Sequence, residues 1–462
     1  MREACGTRVV APAPCCLRLG SRAARTFPRP VLRGIACLLA LGAVFFCGLC
    51  DAQPAAPQRL TLRQAEDLAL KNHPRVLAAQ SQALAAAEEV REARSAYYPF
   101  VNADLTGSQG NTDARVGAGA LVASRLFDRF GQGITLSQLI TDLGRTTNLI
   151  SSSKLREQAA RQDSEATSYE VLLAVNQAYF NALEAQAVVH VAEETVDERR
   201  QSFDQVSALA QNKLKSQLDV SFSNVNLSDA QLMLLRAHDN LQQAYAELAR
   251  SIGTDQNAAF ELVDEPLPAS PPAQIDPLVG EAMKSRPEIA SLRLSSEAAH
   301  RFADAEKDLS RPVVSLAGVA GFLPWINATG LPAEYEGAAV NVEIPVFNGH
   351  LFAARREAAR YQASAADQRL RDLQLRVTRD VRAAWASATT AYQRMDVAAQ
   401  FVQEARMAVD LAQGRYDLGL SSIVELTQAQ LNLTRAEIES LSAKYDYELE
   451  YSTLQFTIGS LR

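Results

Sequence analysis

The sequence predicts a mainly α-helical chain with a smaller β part: long antiparallel helical hairpins and four strands per chain, built as an internal duplication. Three observations carry this. From Leu351 to Gln413 there is neither Gly nor Pro, and small or apolar residues recur in alternating steps of four and three, among them Ala359, Ala363, Leu370, Val377, Val381, Ala384, Ala388 and Ala391. That is a heptad seam, and at about 1.5 Å per residue it makes a helix roughly 95 Å long, more than a globular core needs. Four short segments switch to a period of two. Finally, the chain matches itself. Pro74 aligns with Pro287 and Pro99 with Pro312, both at an offset of 213. Val175, Ala178, Tyr179 and Ala182 align with Val381, Ala384, Trp385 and Ala388, all at an offset of 206. A repeat of that length is a duplicated unit, not a solenoid period.

Composition narrows the class. The 462 residues carry a net charge of −7, with 21% charged and 6% aromatic residues. A nucleic-acid partner would want a basic domain. All six cysteines (Cys5, Cys15, Cys16, Cys37, Cys47, Cys50) fall in the first fifty residues. Residues 1–52 read as a signal peptide with a long n-region: Arg22, Arg25, Arg29 and Arg33 precede an apolar run from Ile35 to Leu49, and cleavage is expected after Ala52. The mature chain then has no cysteine. Cys47-Gly48-Leu49-Cys50 reads as the tail of that apolar run, not as a redox motif. Lipidation of Cys50 is an alternative that Leu49, a large residue just before it, disfavours. No Met lies between Met1 and Met233, so a non-Met start near Val31 is a second alternative. After Ala52 no apolar stretch approaches about 18 residues, so any membrane contact is through strands or at the surface.

The first copy, residues 53–265, opens with an amphipathic helix from Leu60 to Lys71, broken by His73-Pro74. A helix from Arg75 to Ser95 follows, closed by Pro99. Val101, Ala103 and Leu105 alternate with Asn102, Asp104 and Thr106, which predicts a strand. A loop rich in Gly, Asn and Asp is expected from Gln109 to Ala123, then a strand around Ile134 to Leu139. Arg145 to Val206 lacks Gly and Pro and predicts the first long helix. Gln205 to Ser216 is the turn and Leu218 to Arg250 the return helix. A Pro-rich connector, 266–277, leads to the second copy, 278–462. There the helices are Leu278 to Lys284 and Pro287 to Leu309. The strands are Val313 to Ala320 and Ala338 to Val346, with a loop from Phe322 to Glu336 between them. The long helix is expected to break at Gly414 and Gly419 before a return helix from Ile423 to Phe456. Four strands have open edges and cannot close a barrel, and each is near membrane-spanning length. The pattern therefore suggests an oligomer that pools strands into one barrel and extends helices away from it.

Specific segments resemble the TolC-like outer-membrane efflux proteins of Gram-negative bacteria. Leu62-Arg63-Gln64-Ala65-Glu66-Asp67-Leu68-Ala69 through His73-Pro74 resembles the opening signature of that family. Ala96-Tyr97-Tyr98-Pro99 resembles its helix-to-strand junction, Ile344-Pro345-Val346-Phe347-Asn348-Gly349 its strand-to-helix junction, and Arg415-Tyr416 through Leu420-Ser421-Ser422 its turn between long helices. The resemblance covers Arg59 to Arg462. It implies a homotrimer whose strands form one transmembrane β-barrel in outer-membrane lipid and whose helices form a periplasmic tunnel. It further implies docking on a periplasmic adaptor that joins an inner-membrane transporter, for efflux or type I secretion.

The same resemblance implies site residues, each with a plainer reading. Arg415, Gly419, Leu420 and Ser421 are the expected adaptor-docking tip; the plainer reading is a turn that needs Gly for positive φ. Their first-copy counterparts are Lys213, Leu214 and Lys215, where Gly is missing and docking is in question. Glu425 and Asp219 are expected near a periplasmic gate as rings of carboxylates, with Tyr416 as a tether and Gln428 where the family often has a second acid; the plainer reading is a solvated helix face. Trp325, Tyr335, Tyr97 and Tyr98 are expected at the membrane interface, or simply packed at strand ends. His73, His190, His238, His300 and His350 show no ligand spacing, and no phosphate loop or nucleophile elbow is present, so no metal, cofactor or catalytic residue is expected. A periplasmic coiled-coil scaffold without a barrel is the competing reading.

Overall fold

The computed structural model describes residues 58–109, 115–118, 122–125, 128–254, 260–327, 330 and 332–461. The expected signal peptide, with Cys47, Cys50 and the alternative start, lies outside the described residues. Each copy places two helices before the sheet and two after it. In the first copy these are α1 (Leu62–Asn72), α2 (Pro74–Ser95), α3 (Arg145–Gln211) and α4 (Gln217–Ile252). In the second they are α5 (Asp276–Ser285), α6 (Pro287–Lys307), α7 (Leu351–Asp417) and α8 (Ile423–Ile458). The bounds of α3 and α4, moved forward by the second offset, coincide with those of α7 and α8 at both ends of each helix. Pro74 and Pro287 each occupy the first turn of a helix, where a missing N–H costs nothing.

The sheet that matters for function has strand order β2 (Phe100–Ser108), β5 (Arg129–Thr141), β7 (Val313–Ile326), β8 (Glu334–Glu343), all neighbours antiparallel. The duplication extends to its register. Phe100 faces Ser137 within the first copy, and Val313 faces Glu343, the same pair moved by the two offsets, within the second. Two small elements were not foreseen. A parallel pair, β1 (Gln58–Leu60) with β6 (Phe260–Leu262), ties the start of the first copy to its end. The expected loop Gln109–Ala123 contains β3 (Arg115–Ala118), paired with β4 (Val122–Arg125). Runs of three or four residues are too short for a period of two to register.

Other expectations are corrected as well. β5 begins at Arg129, well before Ile134, and β7 continues to Ile326, so Trp325 and Tyr335 lie in strands instead of a loop. The cause is a close fit between strands. A methyl group on Gly133 would collide with the Tyr335 hydroxyl, and one on Gly321 with both the hydroxyl and the ring carbon that bears it. These glycines hold strand conformation because the tyrosine fills the space over them. β8 stops at Glu343, two residues before Pro345, which has no N–H for the ladder. Gly414 does not break α7, which runs on to Asp417; an exposed Gly inside a long helix costs only about 1 kcal/mol.

The core is a set of seams between helices. At mid-height Val175, Ala178, Tyr179 and Ala182 of α3 pack with Ala65 and Ala69 of α1, Leu248 and Ile252 of α4 and Tyr445 of α8. The repeat-related pair Tyr179 and Trp385 does the same task in each copy. The Tyr179 hydroxyl donates to the carbonyls of Val263 and Leu60 at 2.7 and 2.9 Å, and the Trp385 indole donates to the carbonyl of Pro272 in the connector at 2.8 Å. Both pin extended segments across the long helices.

Beside this belt Glu448 of α8 is fully buried, and neither carboxyl oxygen has a hydrogen-bond partner among the described residues. Burial pushes its pKa from 4.5 to about 7, against the pull of Lys444. Between these values the folded chain keeps a proton that the unfolded chain has lost, so stability falls as pH rises through the window. Glu448→Gln should therefore unfold at a higher temperature than the parent at pH 8, with the gap closing towards pH 4.5. A gap that is the same at both pH values would reject the buried acid as its cause.

Candidate functional site

Two regions bear on function: the hairpin tips and the faces of the four-stranded sheet. The tips repeat each other closely. α7 ends in a Schellman motif: Leu420 N–H donates to Arg415 O at 2.8 Å, Gly419 N–H to Tyr416 O at 3.1 Å, and Gly419 takes φ +71°. In the first copy Leu214 N–H donates to Leu209 O at 2.9 Å, Lys213 N–H to Ala210 O at 2.9 Å, and Lys213 takes φ +62°. The missing glycine therefore does not change the tip backbone; Lys213 adopts the left-handed conformation itself. Leu214 and Leu420 stand out from the two tips, 69% and 67% exposed. Ser421 is different from expectation, since its hydroxyl is shielded and has no partner among the described residues.

The two expected gate carboxylates are used differently. Asp219 closes a capping box with Ser216: its carboxylate accepts from Ser216 N–H at 3.0 Å, and its own N–H donates to Ser216 Oγ at 3.2 Å. Glu425, one methylene longer, leaves its cap unmade and pairs with Arg415 at 3.1 Å. Both partners are about half exposed, so this pair contributes at most about 1 kcal/mol. Gln428 points along α8 to Asn432 at 3.2 Å and joins neither acid.

Tyr416 is 4% exposed and sits in a cluster with Val206, Ala412, Ile423 and Leu426. Burial, with Asp219 and Asp417 close by, raises its hydroxyl pKa, and the hydroxyl has no hydrogen-bond partner among the described residues. Lys215 of the first tip lies 3.5 Å from the Tyr416 ring centroid and donates to the Tyr416 carbonyl at 3.3 Å. The structure thus joins Lys215 to Tyr416 and Arg415 to Glu425, pairings no local sequence pattern announces. The alignment of the two copies marks the tips as equivalent turns, with Lys215 in the place of Ser421, and carries no signal for these contacts.

The sheet has two unlike faces. One carries Val101, Ala103 and Leu105 of β2, Ile134 and Leu136 of β5, Leu316, Gly318 and Ala320 of β7, and Ala338, Val340 and Val342 of β8, bordered on the same face by Gln132, Glu334 and Glu336 towards one end and by Gln138 at the other. The other carries Asn102, Asp104, Thr106, Thr135, Ser137, Ser315 and Asn341, with Thr135 donating to Asp104 at 3.2 Å. The alternation is that of a membrane barrel with an apolar outside and a polar lumen. Trp325 pairs with Phe130 at the end far from the helices, and Phe322 follows on the apolar face. Tyr98 is exposed at the near end. Tyr97 is tied to α3 by its hydroxyl, 2.8 Å from Thr147 Oγ1. Tyr335, expected at the lipid interface, pairs with Gly321 on the polar face, because its position along β8 has the parity of Gly337 and Asn341. Among the described residues no cluster of three metal-ligating side chains occurs, and no helix is long and apolar enough to cross a membrane.

Two-faced strands of this length joined to helical hairpins define a class of protein, the channels of the bacterial outer membrane. The sequence profile of one family, described as outer membrane efflux protein, matches residues 66–254 and 278–460, one match in each copy, and the chain belongs to that family. It is similar to the outer membrane protein TolC of Escherichia coli (strain K12), 24% identical over 429 residues that cover 87% of this chain and 84% of that protein. It is also similar to the alkaline protease secretion protein AprF of Pseudomonas aeruginosa, at 23% identity over 85% of this chain and 83% of that one. The fold matches the crystal structure of the Campylobacter jejuni CmeC outer membrane channel with a TM-score of 0.73, at 20% identity and over 87% and 86% of the two chains.

The left-handed lysine makes a test. A non-Gly residue in that region costs about 1–2 kcal/mol that Gly does not pay. Lys213→Gly should slow hydrogen exchange of the amides at the first tip several-fold, whereas Gly419→Lys should speed it at the second. Identical exchange in parent and variants would show that the tips carry no such strain.

Proposed function

We propose that three copies of the chain close one barrel in the outer membrane and form a passive conduit, fed through a periplasmic adaptor by an energised transporter of the inner membrane. The single observation that supports this best is the four-stranded sheet. Among the described residues, no further strand pairs with the outer edges of β2 and β8, and nothing covers the apolar face. A coiled-coil scaffold has no use for such a sheet. Pooled strands from several chains satisfy the edges and turn the apolar face to lipid.

On this reading the tips meet the adaptor through Leu214, Lys213, Gly419 and Leu420. Lys215 is a tether: it holds the first hairpin to Tyr416 of the second, so that the inner and outer helices move together. Arg415 neutralises Glu425 in the same protomer, which makes the ring at the periplasmic end a set of three ion pairs that must part before three bare Glu425 carboxylates face the lumen. The cargo is small molecules, proteins or both; the relatives include a protein named for alkaline protease secretion.

Three readouts test it. The purified protein in detergent should migrate as a trimer that dissociates on heating, and a stable monomer would refute the barrel. Gly419→Trp should abolish export while leaving the trimer intact, and full export would remove this tip from the docking surface. Lys215→Ala should raise leak conductance in planar bilayers several-fold; conductance equal to the parent would reject the tether.

A further inference from the structure

We infer that the belt at mid-height carries a proton-operated catch: Glu66 of α1 and Glu448 of α8 hold those two helices on α3 while each carries a proton, and loosen them when both are ionised. The catch is a property of the single chain. Its effect on passage rests on the conduit proposed above.

Neither acid has the surroundings of a carboxylate. Glu448 has no exposed surface, and neither of its carboxyl oxygens meets a donor among the described residues. The cation on its own helix, Lys444, is bonded to Asp264 in the segment after β6 and lies 4.8 Å from the Tyr445 ring centroid. Glu66 is half-buried against Asn176 of α3, whose side chain is close enough to pull the carboxyl pKa down. Asn176 is itself 2% exposed, and its amide oxygen has no donor among the described residues. A carboxylate only accepts and cannot satisfy that oxygen, whereas a carboxylic acid can donate its O–H to it. The orphan acceptor therefore fits a protonated Glu66, and burial without a donor fits a neutral Glu448.

Packing alone does not call for acids at these places. The repeat counterpart of Glu66, at the offset of 213, is Val279, and that of Glu448, at 206, is Gln242. Asn176 is matched by Arg382, which is exposed. The same helices form in the other copy with no acid at either position.

The groups around the two acids set the direction of the response. Glu66 faces Asp67 and Arg63 on α1 and Glu265 after β6, and Glu448 faces Lys444 on α8 and Asp264 and Glu265 after β6. From α3 come Asn176 and the Tyr179 hydroxyl, whose own pKa burial pushes up to about 12. Glu265 opposes ionisation of both acids at once. Burial lifts both from 4.5 to about 7, against the pull of Asn176 on one and of Lys444 on the other. In a loosened belt both return to water and to the ordinary carboxylate value. The tight belt then keeps two protons that the loosened belt has lost. The balance tips towards loosening as pH rises through that window and levels off above it.

The place of the catch gives it a consequence. α8 is the return helix of the second hairpin, and Tyr445 seats it among Val175, Ala178 and Tyr179 of α3 in the first. The same two hairpins are joined at their tips by Lys215 and Tyr416. Loosening the belt frees the second hairpin at its upper attachment, so the conduit leaks more in alkaline than in acid surroundings.

Amide hydrogen exchange on the full chain in detergent, corrected for the intrinsic pH dependence of exchange, reads the catch. Protection of the amides of α1, and of α8 around Tyr445, should fall more than ten-fold between pH 5 and pH 8 in the parent. It should stay flat in Glu66→Gln with Glu448→Gln, which keeps a neutral side chain at both places, and each single substitution should remove part of the fall. Equal protection at both pH values in the parent, or a fall of equal size in the double variant, would overturn the inference. In planar bilayers the leak of the parent should rise several-fold more over the same range than that of the double variant; Glu425 and Asp219 at the tips are present in both. Equal rises beside a belt that does loosen would overturn the link to passage. Absence of any conducting channel would overturn the conduit reading, while exchange judges the catch by itself.

Discussion

A backbone N–H or C=O left unpaired in hydrocarbon costs several kcal/mol, and the rest of this structure follows from that constraint. Four strands cannot close on themselves, which is why the proposed barrel takes its remaining strands from further copies. The same requirement decides where proline is allowed. Pro99 and Pro312 stand just outside the strands they precede and Pro345 just after β8, while Pro324, inside β7, falls at the register shift opposite Phe130 to Gln132 and past the last residue paired with β8. The helical layer takes the order of the sheet, α2-α3-α6-α7 beside β2-β5-β7-β8, because each helix next to a strand in sequence stands next to it in space.

The long helices were readable because a heptad seam of about sixty residues has no competing explanation, and because the same seam occurs twice. The four principal strands were readable from Val101 to Thr106 and from Val340 to Ile344, where apolar and polar residues alternate cleanly. Their true lengths were not. Gly131, Gly133 and Gly321 look like loop residues until Leu323 is seen to lie over Gly131 and Tyr335 over Gly133 and Gly321. β1 and β6 were invisible because a parallel pair so short is defined by a partner at the far end of the first copy and by the Tyr179 hydroxyl, not by any local pattern.

At the tips the sequence pointed to residues that the structure does bring together, and left their partners open. Asp219 and Glu425 align, yet a difference of one methylene sends the first into its own helix cap and the second to Arg415. Tyr416 was expected as a tether, and the group that lies against it is Lys215, from the other hairpin. Side-chain partners so distant in sequence depend on how two hairpins lean together, which periodicity does not encode.

The turn from strand into long helix shows what duplication preserved. Leu143 and Gly144 take φ +58° and +116°; their counterparts Gly349 and His350 take +61° and +66°. Both copies keep two consecutive left-handed residues, but glycine occupies the second place in one and the first in the other. At Gly144 a side chain would press on Asp308, whereas Gly349 has open space around it. An ancestral unit with glycine at both places leads to either copy by one replacement at that pair, without passing through a turn that has none. The two copies thus share the path of the backbone while placing at different positions the glycine that permits it.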